Sequence, residues 1–344
     1  MSASRSSTAS ALVLALLGLI GLLLAACRQD TPPNQEEGLA DFIVPEGTTP
    51  GADPPVGGDP GRDDDPQGDD PQGDDPGAVA PDGGVIAAGY FHTCWLLSDG
   101  RPECWGDDMD GQTSPPDGLT LTTITAGGSH SCGLDPDGAP VCWGSNEDGV
   151  SSPPNGLRLV GISAGNTNAC GVASDGTAIC WGSDFSGQSR VPEGDPFATI
   201  SAGSNLSCGL HDDGVPNCWG AGVGSFGPPP PGLTLTAIEA GFSHACGLEA
   251  DGTPRCFGPD REGESSPPAG LRLEAITAGG GHSCGLDPDG QPVCWGDDAQ
   301  GQSSPPDGLR LVAISAGLNH TCGLDTDGQP ACWGDDRLGQ SSPP

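Results

Sequence analysis

Residues 126–144 read AGGSHSCGLDPDGAPVCWG, and the architecture follows outward from this stretch. In Leu134-Asp135-Pro136-Asp137-Gly138-Ala139-Pro140, proline presets φ at the first turn position, aspartate tolerates the second, and glycine supplies the left-handed third. The result is a three-residue hairpin loop, a type I turn closed by a glycine bulge. It pairs Asp135 with Ala139, and counting back sets Leu134 against Pro140, Gly133 against Val141 and Cys132 against Cys142. Alternation along the ladder makes the cysteine pair non-hydrogen-bonded, roughly 4.5 Å between Cα atoms and within reach of a disulfide. Pro140 then falls where its missing N–H faces away from the partner strand.

The stretch recurs seven times. Its first cysteine falls at Cys94, Cys132, Cys170, Cys208, Cys246, Cys284 and Cys322, and its second at Cys104, Cys142, Cys180, Cys218, Cys256, Cys294 and Cys332. Every step is 38 residues, so each unit is one supersecondary module of a repeat array. Fifteen cysteines divide into seven hairpin pairs and Cys27, which predicts seven disulfides in an oxidising compartment. A zinc site would want a close Cys-x-x-Cys knuckle, and the ten-residue step lacks one.

Composition agrees. With 59 Gly, 36 Pro and 4% aromatic residues, the chain suits short strands joined by tight turns. Its 47 acidic residues against 11 basic ones give a net charge of −36. Such a surface repels phosphate backbones, so nucleic acid is excluded as a partner, and attachment to a membrane must be covalent.

The N-terminus supplies such an attachment. An uncharged apolar run from Ala11 to Ala26 follows Arg5, short for a membrane span and suited to a signal-peptide core. It ends in Leu24-Ala25-Ala26-Cys27, which resembles a bacterial lipobox; the resemblance implies cleavage after residue 26 and lipidation of Cys27. Arg28 follows the cysteine where an aspartate would retain the protein at the inner membrane, which by the same resemblance points to the outer membrane. Residues 27–80 carry DDPQG near-repeats of prolines and repelling carboxylates, expected to form an extended, disordered stalk. Residues 81–344 hold the repeats.

The pattern I-x-AG-x-x-H-x-C-x-L-x-x-DG-x-x-x-CWG-x(4)-GQ resembles the regulator of chromosome condensation repeat family over about Val85 to Pro344. The short period is similar to that of the β-lactamase inhibitory proteins of the second type within it. The resemblance implies an all-β, seven-bladed β-propeller of 38-residue repeats, with one hairpin disulfide per blade. Four antiparallel runs per unit are expected, the first through Leu271, Leu273 and Ile276 and a short fourth near Gln302 and Ser303. The AG-x-x-H and CWG-x(4)-G loops then share one rim, and the DG and Pro-Pro turns the other.

Repeated residues are explained by the fold. His92, His130, His244, His282 and His320 share one position and read as structural hydrogen-bonders. The tryptophans after the second cysteine read as packing between blades; Trp95 has no counterpart. Acids of the CWG loops, among them Asp107, Asp108, Asp297 and Asp336, read as a solvated surface rather than a calcium site.

Variable residues are the candidates for function. Inside AG-x-x-H the variable dipeptide brings Tyr90, Phe91, Phe242 and Leu318 onto loops, and large apolar groups there make candidate partner-binding anchors. No set of unrepeated polar residues converges as catalysis requires. The reading is therefore of a monomeric, non-enzymatic envelope lipoprotein without metal or cofactor that binds a protein or glycan. A periplasmic enzyme inhibitor is the narrower alternative, and a glycan-acting hydrolase the rival class.

Overall fold

The computed structural model describes residues 78–79, 84–194, 196–220 and 226–344. The expected leader, Cys27 and most of the stalk lie outside the described residues. The repeats form seven antiparallel sheets, with one short 3₁₀ turn at Glu147–Gly149. In the first blade, β1 (Ala78–Val79), β2 (Val85–Ala88), β3 (His92–Leu96) and β4 (Pro102–Gly106) lie in that order. The second blade has three strands: β5 (Thr123–Ala126), β6 (His130–Leu134) and β7 (Pro140–Gly144). This unit repeats through the last blade, Leu311–Ala316, His320–Asp325 and Pro330–Gly334. Strand β1 sits within the last residues of the expected stalk, where its two residues pair with Ile86 and Val85.

The hairpin register is the one the turn dictates: Leu134 opposes Pro140, Gly133 opposes Val141 and Cys132 opposes Cys142. Gly138 has φ +76°, its N–H bonds the Asp135 carbonyl at 2.8 Å, and the Asp135 carboxylate accepts the N–H groups of Asp137 and Ala139. All seven disulfides form, with Cα–Cα distances of 4.0–4.1 Å.

Two expected strand features differ. The fourth run is a turn, because the main chain at Gln302 serves the next blade instead of a ladder: its carbonyl accepts Trp333 Nε1–H at 2.9 Å and Thr321 Oγ1–H at 3.1 Å. The first strand of the sixth blade starts at Ala275 rather than at the leucines. Leu273 N–H bonds the Gly252 carbonyl in the preceding blade's hairpin turn, 2.9 Å away, so that segment ties blades together.

The core is divided into seven clusters, one at each interface between blades. Between the second and third blades, Cys132 and Leu134 meet Leu159, Ile162 and Trp181. Between the last and the first, Cys322 and Leu324 meet Ile86 and Trp105, which closes the ring. Each hairpin thus presents its cystine to one neighbour and its tryptophan, or Phe257 in the fifth blade, to the other, as alternation of side chains requires. Each bridge closes a loop of about eleven residues, which the chain-entropy model equates with somewhat under 3 kcal/mol.

Trp95 now has an explanation. Its position holds glycine in the other six blades, where the glycine makes room for a large side chain: a Cβ on Gly133 would come within 2.5 Å of Leu121 Cδ1. The first blade has no leucine segment before its first strand, and Trp95 packs with Ile86, Trp105 and Leu324.

Candidate binding rim

The first strands of all seven blades surround a central channel. Its wall carries a tier of hydroxyls, among them Thr125, Ser163, Ser201, Thr277 and Ser315, beside a tier of alanine methyls, with Glu239 the single carboxylate. First strands facing an open channel would leave amide groups unpaired. At five of the seven junctions the neighbouring blade's hydroxyl accepts one: Ala164 N–H donates to Thr125 Oγ1 at 3.0 Å, Ala202 N–H to Ser163 Oγ at 2.9 Å, Ala240 N–H to Ser201 Oγ, Ala316 N–H to Thr277 Oγ1, and Ala88 N–H to Ser315 Oγ at 3.0 Å across the ring closure.

Where these strands end, the AG-x-x-H loops form a second belt. Tyr90 N–H donates to the Gly127 carbonyl, Gly128 to Gly165, Asn166 to Gly203, Ser204 to Gly241, Phe242 to Gly279, Gly280 to Gly317, and Leu318 to Gly89. The distances are 3.0–3.4 Å, and the seventh bond completes the circle. Glycine is required in these loops because a Cβ on Gly127 would lie 2.4 Å from both the Gly165 carbonyl oxygen and His130 Cε1.

The five repeat-position histidines lie behind this belt, all buried. His92 Nε2 is 2.8 Å from Ser131 Oγ, His244 Nε2 2.8 Å from Ser283 Oγ, His282 Nε2 2.9 Å from Thr321 Oγ1 and His320 Nε2 2.8 Å from Thr93 Oγ1, each hydroxyl in the following blade. Those hydroxyls donate their own protons to backbone carbonyls of Gln112, Glu264, Gln302 and Gln340. The oxygen can then only accept from the ring, so Nε2 carries the imidazole proton. Burial holds His92 and His282 down to about 3, and His130, His244 and His320 to about 4. His92 is lowered further by His130 and His320. Nearby Asp108, Glu264 with Asp260, and Asp335 with Asp336 partly offset burial at His92, His244 and His320 respectively. These rings are structural, neutral and sealed from solvent.

The carboxylates of the CWG loops also act within their own loops. Asp108 accepts Thr113 N–H and Ser114 Oγ–H, and Asp298 and Asp336 repeat the arrangement with Ser303 and Ser304 and with Ser341 and Ser342. The glutamine of GQ does two things. Gln112 Oε1 accepts Asp110 N–H to shape the loop, and its backbone carbonyl accepts Trp143 Nε1–H from the next blade at 2.9 Å.

Of the candidate anchors, three come together. The Tyr90 and Phe242 ring centroids are 6.2 Å apart although their repeats are four units apart in sequence, and both line the mouth of the channel. Phe91 meets Tyr90 edge-on at 6.3 Å. Phe242 remains 41% exposed. The Tyr90 phenol is pushed up to about 12 by burial; Ser204 lies beside the hydroxyl, but outside hydrogen-bonding geometry. Leu318 is half-buried over Gly280 and joined to the first blade through Gly89.

The same rim exposes apolar groups that the sequence reading passed over. Met109, Phe185 and Leu338, at the tips of the CWG-x(4)-G loops, are 89%, 99% and 49% exposed. Positions 109 and 185 correspond across repeats, where the other described tips hold Glu147, Arg261, Ala299 and Arg337. Comparing that tip position across the units was the available signal. The two loop sets meet: Asp107 N–H bonds the Phe91 carbonyl at 2.9 Å.

Structure and sequence together define a closed propeller whose repeated polar residues lock its blades and whose variable apolar residues gather on one rim. The repeat profile described as "Regulator of chromosome condensation (RCC1) repeat" matches residues 122–150, 159–188, 274–302 and 311–340. Four of the seven repeats thus match this repeat family. Among solved structures, it is similar to the ectodomain of the receptor kinase CR4 from Physcomitrella patens. That match has 28% identity and a TM-score of 0.64, covering 72% of this chain and 73% of that one. It is also similar to the CRINKLY WD40 ectodomain of the Arabidopsis thaliana receptor kinase ACR4, with 28% identity, a TM-score of 0.62, and 72% and 94% of the two chains covered. Human WBSCR16 shares the fold at 15% identity and a TM-score of 0.60, over 70% of this chain and 86% of its own. No curated protein matches the sequence.

Proposed function

We propose that this chain is a non-catalytic lipoprotein of the bacterial cell envelope. Lipid on Cys27 holds it outside the cytoplasm at the outer membrane, and the loop rim of its propeller grips a protein partner. The observation that carries the binding reading is the Tyr90–Phe242 pair, assembled by two distant repeats at the channel mouth with Phe242 left 41% exposed. An apolar group so placed gains by desolvation when a partner covers it.

Display outside a membrane is supported by the likeness to two receptor-kinase ectodomains and by the seven disulfides. A protein is favoured over a glycan because the blade tryptophans are buried between blades, Trp143 being 6% exposed with its N–H bonded to Gln112. A non-catalytic role is supported by four of the five repeated imidazoles, whose Nε2 protons are committed to hydroxyls in the next blade.

Two measurements test the reading. Cys27→Ala should abolish labelling by radioactive palmitate and release the protein from the membrane fraction. Tyr90→Ala combined with Phe242→Ala should abolish co-purification of the partner recovered with the wild-type chain from envelope extract. Unchanged recovery would overturn the binding reading.

A further inference from the structure

The exposed loop tips carry the reading further than the inner ring of anchors. Leu338 belongs to the seventh blade, Met109 to the first and Phe185 to the third, so the tips span the ring closure and its flank. Leu318 and the pair Tyr90 and Phe91 lie on the inner loops of blades seven and one. One sector of the rim therefore has large apolar side chains at both its inner and outer radius. Fully exposed phenylalanine and methionine contribute nothing to the fold in these positions and lose free energy to water.

The charges around the tips are one-sided. Asp108, Asp110, Glu147, Asp148 and Asp336 are exposed beside them. The two nearby cations are already neutralised, Arg337 by Asp335 at 2.7 Å and Arg190 by Asp184 at 2.6 Å. Thr113 and Ser114, which hydrogen-bond the Asp108 carboxylate, hold it below the usual carboxylate range against the opposing effect of burial, so it stays charged.

Charge selects among occupants. The chain's own residues 63–76 contain seven aspartates and no cation, so this segment is repelled by the sector. A second copy, carrying the same net charge of −36, is repelled as well. A cationic protein surface is attracted, and its apolar groups would cover the tips.

We propose that blades seven, one and three form an outer docking arc, with Leu338, Met109 and Phe185 as apolar contacts among ionised carboxylates, for a protein with a basic, partly apolar face. The arc rests on the rim being the binding face and adds the partner's chemistry and a second set of contact residues.

The test uses the full chain in its native cells with the photo-crosslinking amino acid benzoylphenylalanine placed at position 185, 109 or 160. Val160 is 65% exposed and lies outside the rim loops, which makes it the control. Positions 185 and 109 should capture one common protein with more Lys and Arg than Asp and Glu, and position 160 should not capture it. Against that purified protein, Phe185→Ser with Met109→Ser should weaken binding at least tenfold, and raising sodium chloride should weaken the wild-type complex steeply. Capture of an acidic protein or of a second copy, absence of capture, or unchanged affinity in the double variant would overturn the arc. Tyr90→Ala with Phe242→Ala in the same assay separates the two readings. If it alone destroys binding, the rim stands and the outer arc fails; if neither pair matters, the rim fails with it.

Discussion

His282 Nε2 lies 2.9 Å from Thr321 Oγ1 of the next blade, and that hydroxyl donates onward to the Gln302 carbonyl at 3.1 Å. Ring, hydroxyl and carbonyl form a directed chain across the interface, and it works only while the imidazole is neutral. Protonation would add a charge in a buried site, where burial already holds the ring down to about 3.

The pH dependence of stability follows from the sign of these shifts. An unfolded histidine takes up its proton near pH 6.5. The five buried rings do so only at about 3 to 4, so below pH 6.5 the unfolded chain binds more protons than the folded one. Stability should be flat above pH 6.5 and fall as pH drops toward 4, by about 1.4 kcal/mol per pH unit for each ring. Urea unfolding at stepped pH checks this. Replacing His92, His244, His282 and His320 by Asn, the residue the third blade uses at Asn168, and His130 by Leu should flatten the slope.

His130 is the one ring whose Nε2 is buried without a partner, because the residue at the matching place in the next blade is Ala169. The fourth blade meets the same alanine, Ala245, with Leu206. Ala169→Ser should supply the missing acceptor, and its own proton has the Val150 carbonyl available, which already takes Trp181 Nε1–H. The expected gain is about 1 kcal/mol, read as a shift in the urea midpoint with unchanged slope. A loss would mean the site has no room for the hydroxyl.

The disulfides should be worth more than any one side-chain contact. Removing one bridge by Cys132→Ala with Cys142→Ala should cost about 2–3 kcal/mol. Intact mass of the mature chain should rise by fourteen hydrogens on reduction, matching seven bridges. A smaller gain would show that some pairs are open.

Ring closure depends on the last residues. The Gln340 carbonyl accepts Thr93 Oγ1–H at 2.9 Å and Trp105 Nε1–H at 3.0 Å, both from the first blade. Deleting residues 340–344 leaves two buried donors unpaired, at about 1–3 kcal/mol each, and should lower the unfolding midpoint accordingly. Removing Ser341–Pro344 alone should cost far less.

Much of this was legible in the sequence because one turn fixes one register. Once Pro136 and Gly138 define the loop, Cys132 must face Cys142, and the constant 38-residue step extends the result to every blade. The fourth strand was not legible, since the groups that claim the Gln302 carbonyl belong to the following repeat. Tyr90 and Phe242 could be picked out as unusual loop residues. Their meeting could not, because it depends on how loops from separated blades reach across the channel. Met109 and Phe185 were passed over because their exposure depends on where the loop tip points once Gln112 and Gln188 have tied its base.

The amide belt closes on Gly89 with the same bond that joins every other pair of loops. The circle therefore passes through the junction of the seventh and first blades as it does through the other six, even though Trp95 packs that interface in its own way. Duplication or loss of a single copy would alter the angle at every junction at once, so the number of copies is inherited as a unit. Residues at the loop tips are free of that constraint: each can change alone, and a lineage can exchange what the rim recognises without renegotiating the circle beneath it.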